Sequence, residues 1–216
     1  MDMAMDMNMA DMPAELPAGL LLLFAMWVAM MVGMMLPAVT PTVLVFVAMA
    51  KQRAEAARPS LSVSAFLGGY LAAWAGFSGV AALVETRART ALLPLAAHNR
   101  GAAIFAGLLL VAAGIYQLTP FKRACLSHCR SPLAHFSAHW REGRLGAFQM
   151  GLEHGALCLA CCWLLMALLF VGGVMNPLWV GGLAVLVLLE KLLPMGDLLG
   201  RVVGVLLLGW GVVLLV

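Results

Sequence analysis

The chain has 216 residues and a net charge of +3, with apolar residues at 64% and charged residues at 11%. Soluble domains average about 45–50% and about 25%, so a mean hydropathy of +1.01 excludes a soluble globule, a disordered chain and a disulfide-rich secreted scaffold. The few basic residues sit between apolar runs, which gives no footing for nucleic acid.

In chain order, residues 1–18 come first, a Met- and Asp-rich segment (MDMAMDMNMADM) without hydrophobic period, expected to be a disordered external tail. No Lys or Arg precedes the first apolar run, so that run is expected to stay as an anchor, not to be removed as a signal peptide. The remainder, 19–216, is expected to form one all-α polytopic membrane bundle of about six transmembrane helices. The first span covers about 19–50 and is expected to be kinked or broken near Pro37 and Pro41. The others cover about 61–84, 101–119, 147–171, 177–193 and 197–216, with a basic cytosolic loop at 120–146. Lys51, Arg53 and Arg58, with the five basic residues of 120–146, outweigh Arg87, Arg89 and Arg100 on the other side. The positive-inside rule then places both termini outside a bacterial inner membrane. Six spans divide three plus three, the arrangement of an inverted repeat. Trp27, Met31, Met34 and Met35 share the spacing of His154, Cys158, Cys161 and Cys162.

That second quartet belongs to the most informative segment, MGLEHGALCLACCWLLM. Met150, His154, Cys158, Cys162 and Met166 recur every four residues, and Cys161 joins the same helical stripe. Thiol, thioether and imidazole groups together select Cu(I), with zinc as the competitor. The structural alternative is packing, since Cys and Met are both ordinary hydrophobes in membrane helices. A second soft surface lies on the first span, where Met26, Met30, Met31, Met34 and Met35 form a candidate thioether relay. The third cluster is in the loop: Cys125, His128 and Cys129 would gather on one helical turn, and His135 and His139 form a further pair. The alternative for this loop is an amphipathic helix lying on anionic lipid. Glu190 and Lys191 are expected to snorkel at the end of their span, and Asp197 to pair with Arg201. Gly68, Gly69, Gly76, Gly79, Gly172, Gly173, Gly181 and Gly182 are expected to serve close helix packing. His98 is expected on the surface. No phosphate cradle or H-E-x-x-H motif is present, so ATP hydrolysis and zincin chemistry are excluded.

These residues support a Cu(I)-binding membrane protein, not an enzyme, that passes copper to a copper-dependent oxidase or another copper carrier. Two other readings stand beside it. One is a thiol–disulfide electron carrier using Cys158, Cys161 and Cys162 with Cys125 or Cys129. The other is a structural or haem-binding subunit using His128, His135, His139 or His154. The segments AMWVAMMVGMMLPAVTP, AGIYQLTPFKRACLSHCRSP, GLEHGALCLACCW and LLEKLLPMG carry a resemblance over about residues 24–214. In them the chain resembles a bacterial family of metal-binding integral membrane proteins, some of whose members are called copper chaperones. The resemblance implies a membrane-embedded metal site, and the matching positions are Cys125, Cys129, His154, Cys158, Cys161 and Cys162.

Overall fold

Two prolines inside one apolar run decide how the chain begins. Proline removes a backbone donor, yet helices in a membrane tolerate it when neighbouring groups occupy the freed carbonyls. A computed structural model describes residues 17–52, 59–96, 99–131, 133, 136–137, 139–174 and 176–216. In it α1 (Pro17–Gln52) runs unbroken through Pro37 and Pro41, so of the kink or break expected there the break does not occur. Between the prolines the Thr40 hydroxyl donates to the Leu36 carbonyl at 2.9 Å, a bond separate from the two carbonyls, of Gly33 and Pro37, that the prolines free. The Met- and Asp-rich segment lies outside the described residues up to position 16.

α2 (Pro59–Ala96) continues past the expected end of its span at residue 84. α3 (Asn99–Leu118) is followed at once by α4 (Pro120–Arg130). The break is written in the sequence. Thr119 caps α4 by accepting from the Lys122 amide, and Pro120 occupies the first turn, where its missing donor costs nothing. α5 (Gly143–Ala167) carries the Cys stripe and passes into the short α6 (Leu169–Gly172). α7 (Pro177–Leu192) starts the same way as α4. The Asn176 side chain accepts from the amides of Leu178 and Trp179, and Pro177 follows it. α8 (Gly196–Leu215) closes the chain.

Among the described residues, five stretches are long and apolar enough to cross a membrane: 18–52, 60–88, 100–118, 143–172 and 196–215. α7 is equally apolar but has 16 residues. At 1.5 Å per residue that is about 24 Å, short of the ~30 Å hydrocarbon layer. Large apolar side chains cover the outside, among them Leu21, Leu44, Leu108, Leu206 and Val213, as lipid contact requires.

α2 packs most extensively on α5, α3 on α8, and α1 on α2. Hydrocarbon offers little hydrophobic drive between helices, so small residues that admit close backbone approach decide these pairings. A β-carbon on Gly69 would strike the Phe148 carbonyl, and one on Gly151 the Phe66 carbonyl. On α3 and α8, Gly114 faces the Gly204 carbonyl and Gly107 the Gly211 carbonyl. Of the glycines expected to make such contacts, Gly69 does so backbone to backbone. Gly76, Gly181 and Gly182 have nothing within 4 Å. Gly151→Ala is therefore expected to cost about 1–3 kcal/mol by forcing α2 and α5 apart. Gly68→Ala, whose new carbon would meet the Phe148 ring at an ordinary 3.9 Å, is expected to be neutral. Thermal melting in detergent separates the two.

Candidate metal centre

The close α2–α5 contact sets the site. It carries Tyr70 against α5, where its hydroxyl lies 3.1 Å from the Cys158 sulfur. Along α5, Met150, His154, Cys158, Cys161, Cys162 and Met166 are all buried. Their surroundings divide them into two groups. Met150 lies in an aromatic pocket with Phe46, Phe66 and Phe136, where its sulfur accepts from the Arg141 amide at 3.4 Å. His154 lies among Phe66, Tyr70 and Phe136, its ring tilted against each with centroids 6.1–6.2 Å apart. Cys158, Cys161, Cys162 and Met166 lie in the main core.

The thiols of Cys161 and Cys162 both donate to the Cys158 carbonyl, each at 3.0 Å, and the i, i+3, i+4 spacing sets the three cysteines on one turn. A cation reaches the same turn. Lys191 of α7 places its Nζ 2.7 Å from the Cys158 sulfur. Lys191 was expected to snorkel outward; instead it turns into the bundle. Glu190, beside it, also departs from expectation. It is 2% exposed and accepts from Lys122 of α4 at 2.7 Å and from Gln117 of α3 at 2.9 Å. Successive helical residues point about 100° apart, so the two charges reach different neighbours. Asp197 is likewise redirected, lying 4.0 Å from Arg130 on α4.

α4 is strongly amphipathic, and its inner face holds Lys122, Cys125, Leu126 and Cys129. The Lys122–Glu190 pair pins that face to the bundle. Both thiols enter the same core as the α5 cysteines. They are harder to ionise than an ordinary thiol: Cys129 through its contact with the Cys161 sulfur and then burial, Cys125 chiefly through burial. His128 does not join them. It is exposed, and its Nδ1 lies 2.8 Å from the Ala124 carbonyl. His139 is exposed as well, and His135 and His98 lie outside the described residues.

On α1, Met31, Met34 and Met35 are buried in the core that holds the thiols, while Met26 and Met30 pack against its margin. Trp27, Met31, Met34 and Met35 are thus all buried, as are the four α5 residues that share their spacing. The Trp27 indole donates to Glu85 of α2 at 2.7 Å, a buried contact that sequence reasoning missed. All five cysteines are free. Among the described residues, no three His, Cys, Asp or Glu groups stand in an arrangement that could hold a metal ion. The closed tetrahedral geometry of a structural zinc site is therefore not formed there.

Fold and site together define a polytopic helical membrane protein with a buried, sulfur-rich centre. The family model described as PpoB2, copper chaperone, matches residues 24–214, and the chain belongs to that family. The resemblance drawn from the four sequence segments is borne out over the same range, and membership supports a copper-related role. No curated protein and no solved structure matches the chain.

Proposed function

We propose that this protein carries Cu(I) within the membrane and hands it on during maturation of a copper enzyme. The observation that supports this is the convergence of α4 and α5. Five free cysteines from two helices enter one buried core, beside three buried methionine thioethers of α1. Thiolates and thioethers are the donor set that favours Cu(I). What sets free cysteine apart from other small hydrophobes is its reactivity and metal binding, not its packing.

In this reading copper is cargo. Cys158 with one of Cys161 and Cys162 holds it as a two-coordinate thiolate pair, and Cys125 and Cys129 exchange it at the cytosolic face. Met26, Met30, Met31, Met34 and Met35 form the path from the outer face, with the Met-rich segment ahead of α1 as collector. Met150 and Met166 flank the stripe, His154 supports it within its aromatic pocket, and His128 is a surface donor near the exit. The location is a bacterial inner membrane; with α7 inserted as a short sixth span both termini lie outside, and the recipient is a copper-dependent oxidase or another copper carrier.

The test is to purify the protein anaerobically in mild detergent, load it with Cu(I), and count bound copper and alkylatable cysteines. About one copper per chain, with the α5 cysteines protected from alkylation, is the expected result. Copper bound with every cysteine still alkylated would overturn the thiol assignment. No copper bound at all would overturn the cargo.

A further inference from the structure

The Lys191–Cys158 contact is not explained by copper binding alone. A buried ammonium group in a membrane bundle is costly, yet here one stands 2.7 Å from the central sulfur. The Tyr70 hydroxyl touches the same sulfur at 3.1 Å. Both partners are positioned by the fold. Lys191 projects from α7 next to Glu190, which is fixed by Lys122 and Gln117, and Tyr70 sits one residue after the tightly packed Gly69.

We infer that Lys191 is a specificity-determining residue, a fixed positive charge that tunes the thiol centre for a singly charged metal ion. This deepens the copper-carrier reading and rests on it. The argument is charge balance in a medium where unbalanced charge is costly. Cu(I) on two thiolates carries one net negative charge, and Lys191 brings the total to zero. Zn(II) on two thiolates is already neutral, so Lys191 leaves one positive charge uncompensated. The nearby Lys122–Glu190 pair is itself neutral and does not alter the sum. Lys191 thus stabilises the monovalent ion and destabilises the divalent one at the same two sulfurs. It need not touch the metal, and it acts as a positioning charge through Cys158.

The experiment compares wild type, K191M, K191Q and K191R, purified in detergent, in competition titrations with Cu(I) and, separately, with Zn(II). The ratio of the two affinities is the readout, because a purely structural fault would weaken both ions alike. In K191M and K191Q the Cu(I)/Zn(II) ratio is expected to fall by about 10–100-fold, the range typical of lost partners around a metal site, with K191R close to wild type. An unchanged ratio in folded K191M or K191Q overturns the inference while leaving the carrier reading intact. A wild-type protein that binds no Cu(I) at its thiols overturns both. If neither neutral variant survives purification, the wild type decides. Lys191 held against the loaded centre is expected to resist reductive methylation, while the exposed Lys51 is modified. Methylation of Lys191 as complete as that of Lys51 overturns the inference.

Discussion

Replacing Cys158, Cys161 and Cys162 together with serine is expected to abolish tight Cu(I) binding while the bundle stays folded. Serine is smaller than cysteine but keeps a donor. The contacts that Cys161 and Cys162 make to the Cys158 carbonyl therefore have a hydroxyl counterpart. Serine oxygen is a poor ligand for a soft ion, so the change removes the metal chemistry and little of the packing. Loss of a single outer partner around a metal typically weakens binding about 10–100-fold. Removal of three sulfurs is expected to exceed that range, and elemental analysis beside the parent protein reads it directly. Undiminished copper in a folded triple variant would return the stripe to the role of packing and leave Cys125 and Cys129 as the thiols to examine. The single C158S variant separates the three. It removes the sulfur that both Lys191 and Tyr70 contact, and is expected to account for most of the loss.

Glu190→Leu is expected to be among the most destabilising single changes in the chain. Glu190 and Lys122 are 2% and 3% exposed and lie 2.7 Å apart, so removing the carboxylate strands a buried ammonium group. Breaking a buried pair from one side costs roughly 3–5 kcal/mol. The Gln117 amide loses its acceptor in the same step. The double change Lys122→Met with Glu190→Leu is expected to regain most of the stability, because an apolar pair of similar volume avoids the desolvation cost. Thermal melting of the parent, the single and the double variant in one detergent tests this. A single variant as stable as the parent would show that Lys122 finds another partner or escapes to water.

The class of fold was legible in composition, and the spans in their apolar runs. The Cys stripe was legible too, because a period of four on a helix fixes a face without any knowledge of neighbours. What the sequence did not reveal concerns pairs of helices. Glu85 reads as the first residue of a loop until α2 is seen to continue and Trp27 to meet it. Glu190 and Lys191 read as a polar end because snorkelling is the cheapest fate for charges near a helix terminus. The better signal was their adjacency. Two neighbouring side chains on a helix diverge, so each needs its own partner, and buried ionisable groups in a span are functional candidates from the outset. Cys125, His128 and Cys129 illustrate the opposite error. Their spacing permits one cluster, but α4 buries its 122/125/126/129 face, and position 128 falls outside it. Glycine counting succeeded only in part: Gly69 of a Gly-Gly doublet meets the Phe148 backbone, but Gly181 and Gly182 meet nothing, and the single glycines 107, 114, 151, 204 and 211 also sit where backbones meet.

The short, doubly charged α7 has a consequence for how the protein is made. A helix of 16 residues ending in Glu190 and Lys191 is a poor candidate for entering a bilayer by itself. A charged residue costs about 2.5–3.5 kcal/mol at a helix centre on insertion scales, and less towards an end. In the finished bundle neither charge faces lipid alone. Glu190 is met by Gln117 and Lys122, and Lys191 by Cys158. Each of those partners precedes α7 in the chain, so a nascent α7 leaves the ribosome after everything it needs has been synthesised. The order of synthesis thus supplies what the helix lacks: the residues that meet Glu190 and Lys191 in the finished bundle are already in place when α7 is inserted.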